Sequence, residues 1–178
     1  YDSAMGTLIS GYPSGLVDRG QEYDPSQFEI PFLERIQLTP KALIENGAQY
    51  DAGTHTLSIS SSTTFQETVN GDYRIAMVIT EDGLSGTTSD WAQANAYAGR
   101  GNGTMGGFEN LPNPVPAASM VYNHVARFIS PSFNGLANAF SGAMMAGNTT
   151  VHNFSVAVPD GWNLDNIHII TMVIAPDG

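Results

Sequence analysis

The stretch Tyr73-Arg74-Ile75-Ala76-Met77-Val78-Ile79-Thr80 is apolar in both phases of a two-residue period. Tyr73, Ile75, Met77 and Ile79 form one row; Ala76 and Val78 make most of the other. A strand with one wet face alternates apolar with polar, so this pattern predicts a central strand covered on both sides. The last run, Ile167-His168-Ile169-Ile170-Thr171-Met172-Val173-Ile174, has the same double-sided character. Between and around them lie half-buried strands. His55, Leu57 and Ile59 alternate with Thr56, Ser58 and Ser60, and His152, Phe154, Val156 and Val158 make one apolar face. Further strands are expected over 37–46, confined to an edge by Pro40, and over 120–130, 149–158 and 166–175, while 63–69 either continues the 55–60 strand or pairs beside it. Turns fall at Asp51-Ala52-Gly53 and Asn70-Gly71-Asp72. Residues 131–147 fit either a short helix or a glycine-rich crossing. Six to eight short strands separated by turns are the signature of a mainly β chain built as a sandwich.

Composition bounds the function. The 178 residues suffice for one domain, or one domain with part of another, and bury roughly 70% of the unfolded surface without a staple. Seventeen acidic residues against six Lys and Arg give a net charge of -11, which repels nucleic acid and anionic lipid. There is no cysteine, so disulfides, thiolate zinc sites and cysteine catalysis are absent from these residues. No run approaches 18 apolar residues, so no transmembrane helix is expected.

Two regions depart from the strand pattern. Residues 1–36 read as strand (Leu8-Ile9), a turn at Gly11-Tyr12-Pro13-Ser14-Gly15, strand (Leu16-Val17-Asp18-Arg19), and then a helix begun by Asp24-Pro25. Phe28, Phe32 and Ile36 share one face of that helix, and Pro31 is expected to kink or shorten it. Residues 83–118 are rich in Gly, Asn and Pro without periodicity; a loop so long is functional or mobile.

Candidate chemistry concentrates on this loop. Glu81, Asp82, Asp90 and Glu109 are the acids that could supply oxygen ligands to calcium, although no D-x-D-x-D-G spacing sharpens that reading. The alternative is a solvated strand end. Glu81 and Asp82 are adjacent in an extended chain and point to opposite faces, so they make a poor acid/base pair. Trp91, Tyr97 and Phe108 could form a binding loop that stacks on a sugar; the favoured alternative is that they pack the loop onto the sandwich. His124 is expected within an aromatic row of a strand with Tyr122 and Phe128, and Arg127 on the opposite face, both structural. The four histidines, His55, His124, His152 and His168, are each expected on a separate strand without H-x-H or H-E-x-x-H spacing, which argues against a zinc enzyme. Gly11-Tyr12-Pro13-Ser14-Gly15 misses the nucleophile-elbow spacing, and the glycines of 99–107 have no accompanying Lys. No catalytic or cofactor-binding set is identified.

Three blocks carry a family resemblance: Thr80-Glu81-Asp82-Gly83; Met105-Gly106-Gly107-Phe108-Glu109-Asn110-Leu111-Pro112-Asn113-Pro114-Val115; and Tyr122-Asn123-His124-Val125-Ala126-Arg127. In order and spacing they resemble the twenty-eight-kilodalton outer membrane protein family of Bacteroidota. The resemblance implies a thioredoxin-like α/β segment followed by an immunoglobulin-like β-sandwich. On that reading 1–36 is the C-terminal remnant of the first and 37–178 the second, with 83–118 as its long loop. It also implies type IX secretion, an extracellular or outer-membrane-surface location, and a non-catalytic binding or assembly role with protein or glycan partners. A structural subunit of an extracellular fibre or envelope complex, and the ancillary half of a thioredoxin-like oxidoreductase, are the alternatives. The chain departs from the family in lacking any C-x-x-C pair and in stopping at Pro176-Asp177-Gly178 before a sorting domain, so redox activity does not carry over.

Overall fold

The computed structural model describes residues 2–176; Tyr1, Asp177 and Gly178 lie outside the described residues, and with them the expected stop before a sorting domain. The chain is mainly β, with eight strands in three sheets and two short α-helices among the described residues. No described helix is long and apolar enough to cross a membrane.

The N-terminal part opens with α1 (Asp2–Met5). The strand expected at Leu8-Ile9 does not form, because both amides donate back to the Met5 carbonyl at the end of α1, at 2.8 and 3.2 Å. Glu22 accepts the Ser10 N–H at 2.9 Å and the Ser10 hydroxyl at 2.8 Å. Pairing occurs further on, between β1 (Gly15–Leu16) and β2 (Glu22–Tyr23), antiparallel with Gly15 opposite Tyr23. The connecting turn carries two consecutive left-handed residues, Asp18 (φ 52°) and Arg19 (φ 57°), and the Tyr12–Pro13 bond is cis.

Asp24 caps as its sequence suggests, its Oδ1 accepting Ser26 N–H at 2.9 Å, but it starts a single 3-10 turn over Pro25–Gln27. The α-helix, α2, begins later, at Glu29, and runs to Ile36. Pro31 is its third residue, where the backbone N–H has no intrahelical partner to lose, so the proline sets the start of the helix. Its apolar residues face outward: Ile30, Phe32, Leu33 and Ile36 are 69%, 52%, 47% and 55% exposed.

In the first large sheet, β3 (Ala42–Asp51) and β7 (Thr149–Ala157) flank β4 (Thr56–Phe65), all antiparallel. β3 is an edge strand as Pro40 demands, but it starts beyond that proline and runs five residues later than expected, to Asp51. The Asp51 carboxylate accepts Gly53 N–H at 2.7 Å and closes the turn. His55 sits in that turn with φ 51°, so the strand begins at Thr56 and His55 does not belong to the apolar row. Along β4, Leu57, Ile59, Ser61, Thr63 and Phe65 are buried, while Ser58 and Ser60 face solvent.

In the second large sheet, β5 (Arg74–Glu81) lies between β6 (Val125–Ser130) and β8 (Ile167–Ile174). From Ile75 to Glu81 no β5 residue is more than 6% exposed, as expected of a strand covered on both faces. The strand expected over 120–130 is cut short at its start. His124 adopts φ 54°, which turns its side chain out of the row with Tyr122 and Phe128. Arg127 lies over the Trp162 ring, 5.4 Å from its centroid. Residues 131–147 contain no helix; this crossing bridges Leu136 to Ile75 and Met144 to Val69.

Side chains of both large sheets meet in two apolar clusters. One joins Leu57, Ile59, Val156 and Val158 to Met77 and Ile79; the other joins Phe65 and Val69 to Tyr73, Ile75, Phe140 and Met144. A polar contact also links them. Asn46 Oδ1 accepts from Ser61 Oγ at 2.7 Å and Thr171 Oγ1 at 2.9 Å, which satisfies a fully buried serine.

Candidate functional site

The segment Glu81–Val125 is a compact unit of its own, inserted in sequence between β5 and β6. Its backbone is four 3-10 turns, at Ser89–Trp91, Ala98–Arg100, Phe108–Asn110 and Ala117–Ser119, with bridges Leu84–Tyr122 and Gln93–Val115. With so little ladder, its backbone groups must be satisfied by side chains. Asn95, 6% exposed, does most of this. Its Nδ2 donates to the carbonyls of Phe108 (2.7 Å), Leu111 and Pro112 (both 3.3 Å), and its Oδ1 accepts Tyr97 N–H at 3.1 Å. Its own N–H donates to Asn113 Oδ1 at 2.9 Å.

The four acids occupy separate positions. Glu81 is buried at the end of β5, and Asp90 is exposed in a 3-10 turn. Asp82 is half-buried; its Oδ1 accepts His124 N–H at 2.6 Å and lies 3.2 Å from His124 Nδ1. Glu109 is buried and closes its own glycine loop, with Oε2 accepting Met105 N–H at 2.8 Å and Gly107 N–H at 3.0 Å. Among the described residues, no three of these four bring carboxylate oxygens within 4.8 Å of one another.

The three aromatics are also distributed. Tyr97 is buried at 8% exposure. Trp91 is half-buried, and its indole fills the space where a Gly86 side chain would stand, an added Cβ meeting Nε1 at 2.2 Å. The Trp91 ring lies 6.0 Å from that of Tyr122, whose hydroxyl donates to the Trp91 carbonyl at 2.7 Å. Only Phe108 of the three is largely open, at 38%. The insert is thus built by Asn95, which the sequence does not single out, and by Tyr122, Asp82 and His124, which the sequence offers for other roles, an aromatic row and a cation ligand; only the paired Asn-Pro punctuation around Asn113 hints at its closing turn.

Hydrogen bonds from the Met105, Glu109 and Gly107 amides, with the Arg100 charge, hold the Glu109 carboxyl below its ordinary value of 4.5. A lowered native value means that this contribution to stability is complete above 4.5 and is lost as pH falls through the native pKa. The Met105 and Gly107 amide resonances are therefore expected to titrate together below 4.5, and to stay flat in Glu109→Gln. A midpoint above the ordinary glutamate value would refute the assignment.

Neither a curated protein nor a solved structure matches the chain. Residues 3–178 match the family described as outer membrane protein Omp28, nearly the whole chain and including all three sequence blocks that carry the resemblance. By this match the chain belongs to the Omp28 outer membrane protein family, whose name places it with the cell envelope.

Proposed function

We propose that this chain is a non-catalytic binding and assembly module displayed at the outer membrane surface by a type IX-secreted protein. The observation that carries the reading is the apolar surface of residues 30–38. Ile30, Phe32, Leu33, Ile36 and Leu38 are all between 47% and 69% exposed within nine residues. Contiguous exposed apolar side chains of this size mark a protein interaction surface. The order β1, β2, α2 is also that of the end of a thioredoxin-like segment, and α2 offers the face on which the remainder of such a segment packs. The two large sheets then form the immunoglobulin-like sandwich that follows it.

Sedimentation velocity across a concentration series tests the proposal. The chain is expected to associate reversibly as concentration rises. The double variant Phe32→Asp, Ile36→Asp is expected to remain monomeric with unchanged far-ultraviolet circular dichroism. A wild-type chain that stays monomeric at every concentration would overturn the reading, as would a double variant that associates equally well.

A further inference from the structure

Six basic side chains serve a chain of net charge -11, yet two of them open onto one small cavity. It measures about 210 Å³ and is lined by Arg19, Asp72, Arg74 and Asn134, with Ile174, Ala175 and Pro176 as an apolar wall. Both guanidiniums are held in place before any ligand arrives. Arg19 lies over the Phe133 ring, Cζ 4.2 Å from the centroid, and donates Nη1 to the Phe133 carbonyl at 2.9 Å. Arg74 donates Nε to Asp72 Oδ2 at 2.7 Å. Asp72 is itself fixed, its Oδ1 accepting Asn138 N–H at 2.7 Å.

The other arginine and lysine partners set this site apart. Arg35 pairs with Asp18, Lys41 with Glu67 at 3.8 Å, and Arg74 with Asp72 at 2.7 Å. Among the described residues no carboxylate pairs with Arg19. Its fork retains unused N–H donors that a carboxylate can take in a bidentate manner. A guanidinium immobilised on an aromatic ring, from a left-handed residue in the turn between β1 and β2, loses little further entropy on binding. Among the described residues that line the cavity, Arg19 and Arg74 against Asp72 leave one net positive charge, which matches a monoanion. A dianion gains no second partner and meets the strongly negative field of the whole chain.

We propose that this cavity binds an organic monocarboxylate, with the carboxylate on Arg19 and Arg74 and a short apolar body against Ile174 and Pro176. Drug-sized sites span about 300–1,000 Å³, so a cavity of about 210 Å³ suits a small acid. The Asn134 amide offers a further hydrogen bond to the same carboxylate.

Side-chain and backbone amide shifts of the 178-residue chain, titrated with sodium butyrate at constant ionic strength, test this. Inorganic phosphate and sodium chloride serve as parallel arms. Butyrate is expected to saturate, with the largest changes at Arg19, Arg74 and Asn134 and smaller ones at Ile174 and Ala175. Arg19→Gln should weaken butyrate at least about tenfold, the loss of one charge-assisted bidentate contact. Arg19→Lys, which keeps the charge without the fork, should fall between the two. Folding of each variant is checked by the unchanged dispersion of the β4 and β5 amides. Equal response to chloride would mark an ionic-strength effect and overturn the proposal. Phosphate binding as tightly as butyrate would overturn the monoanion assignment. Arg19→Gln retaining wild-type butyrate affinity would remove Arg19 from the site and the proposal with it.

Discussion

Phe65→Ala is expected to cost about 3–5 kcal/mol of unfolding free energy, the loss of a large aromatic side chain plus the cavity left behind. The Phe65 ring is fully buried at the end of β4 and meets two other aromatic rings edge-on. The Tyr73 centroid is 5.7 Å away at 88°, and the Phe140 centroid 5.1 Å away at 86°. The Phe65 backbone also ties β4 to the 131–147 crossing, with its N–H on Asn148 O at 3.1 Å and its carbonyl accepting Gly147 N–H at 2.8 Å. Removing the ring therefore opens a void shared by β4, β5 and the crossing. Set against the usual total of about 5–15 kcal/mol, such a loss brings a domain near its limit. Urea denaturation at neutral pH measures it. Phe65→Leu, which refills most of the space, should lose markedly less, and a Phe65→Ala loss under about 1 kcal/mol would show that the cavity collapses.

Asn95→Ala is the second large effect, and it is local. Three carbonyl acceptors and one amide donor lose their partner at a site that water does not reach freely. Each orphaned buried group costs about 1–3 kcal/mol, so a loss of about 2–3 kcal/mol is expected for the insert even if some groups find water. Hydrogen exchange should accelerate across 93–115 while the amides of β4 and β5 keep their protection. Asn95→Asp should be worse than Asn95→Ala, because it turns a carboxylate toward the carbonyls of Phe108, Leu111 and Pro112. Uniform acceleration over the whole chain would show that the insert does not open separately.

The strands were legible in the sequence wherever burial alone determined them. β5 reads as central because Ala76 and Val78 are apolar where a wet face would be polar, and both are buried. β4 and β7 read from clean alternation. Backbone conformation was not legible. His55 and His124 continue the alternation in side-chain type, yet each takes a positive φ that ends the row, and a two-residue period carries no sign of φ. The N-terminal pairing escapes the pattern for a related reason: Leu8-Ile9 is apolar enough for a strand, but both amides turn back onto the Met5 carbonyl, a local backbone bond that side-chain type does not reveal. In the insert, the acids and aromatics stood out by type. Their partners did not, because Glu109 binds backbone N–H groups that every residue possesses. Asn95 is one of many loop asparagines, and only its enclosure by three carbonyls distinguishes it.

β5 and β6 are neighbours in one sheet, so the chain departs from and returns to adjacent rungs, about 4.8 Å apart in the ladder direction. Such a junction is indifferent to how much polypeptide hangs from it: doubling the length of a closed connection costs only about 0.6 kcal/mol. This is where the architecture can grow, shrink or accept a foreign sequence without re-threading its strands. Homologues are expected to differ most in size here, and a reporter peptide or affinity tag is best spliced here rather than at any hairpin.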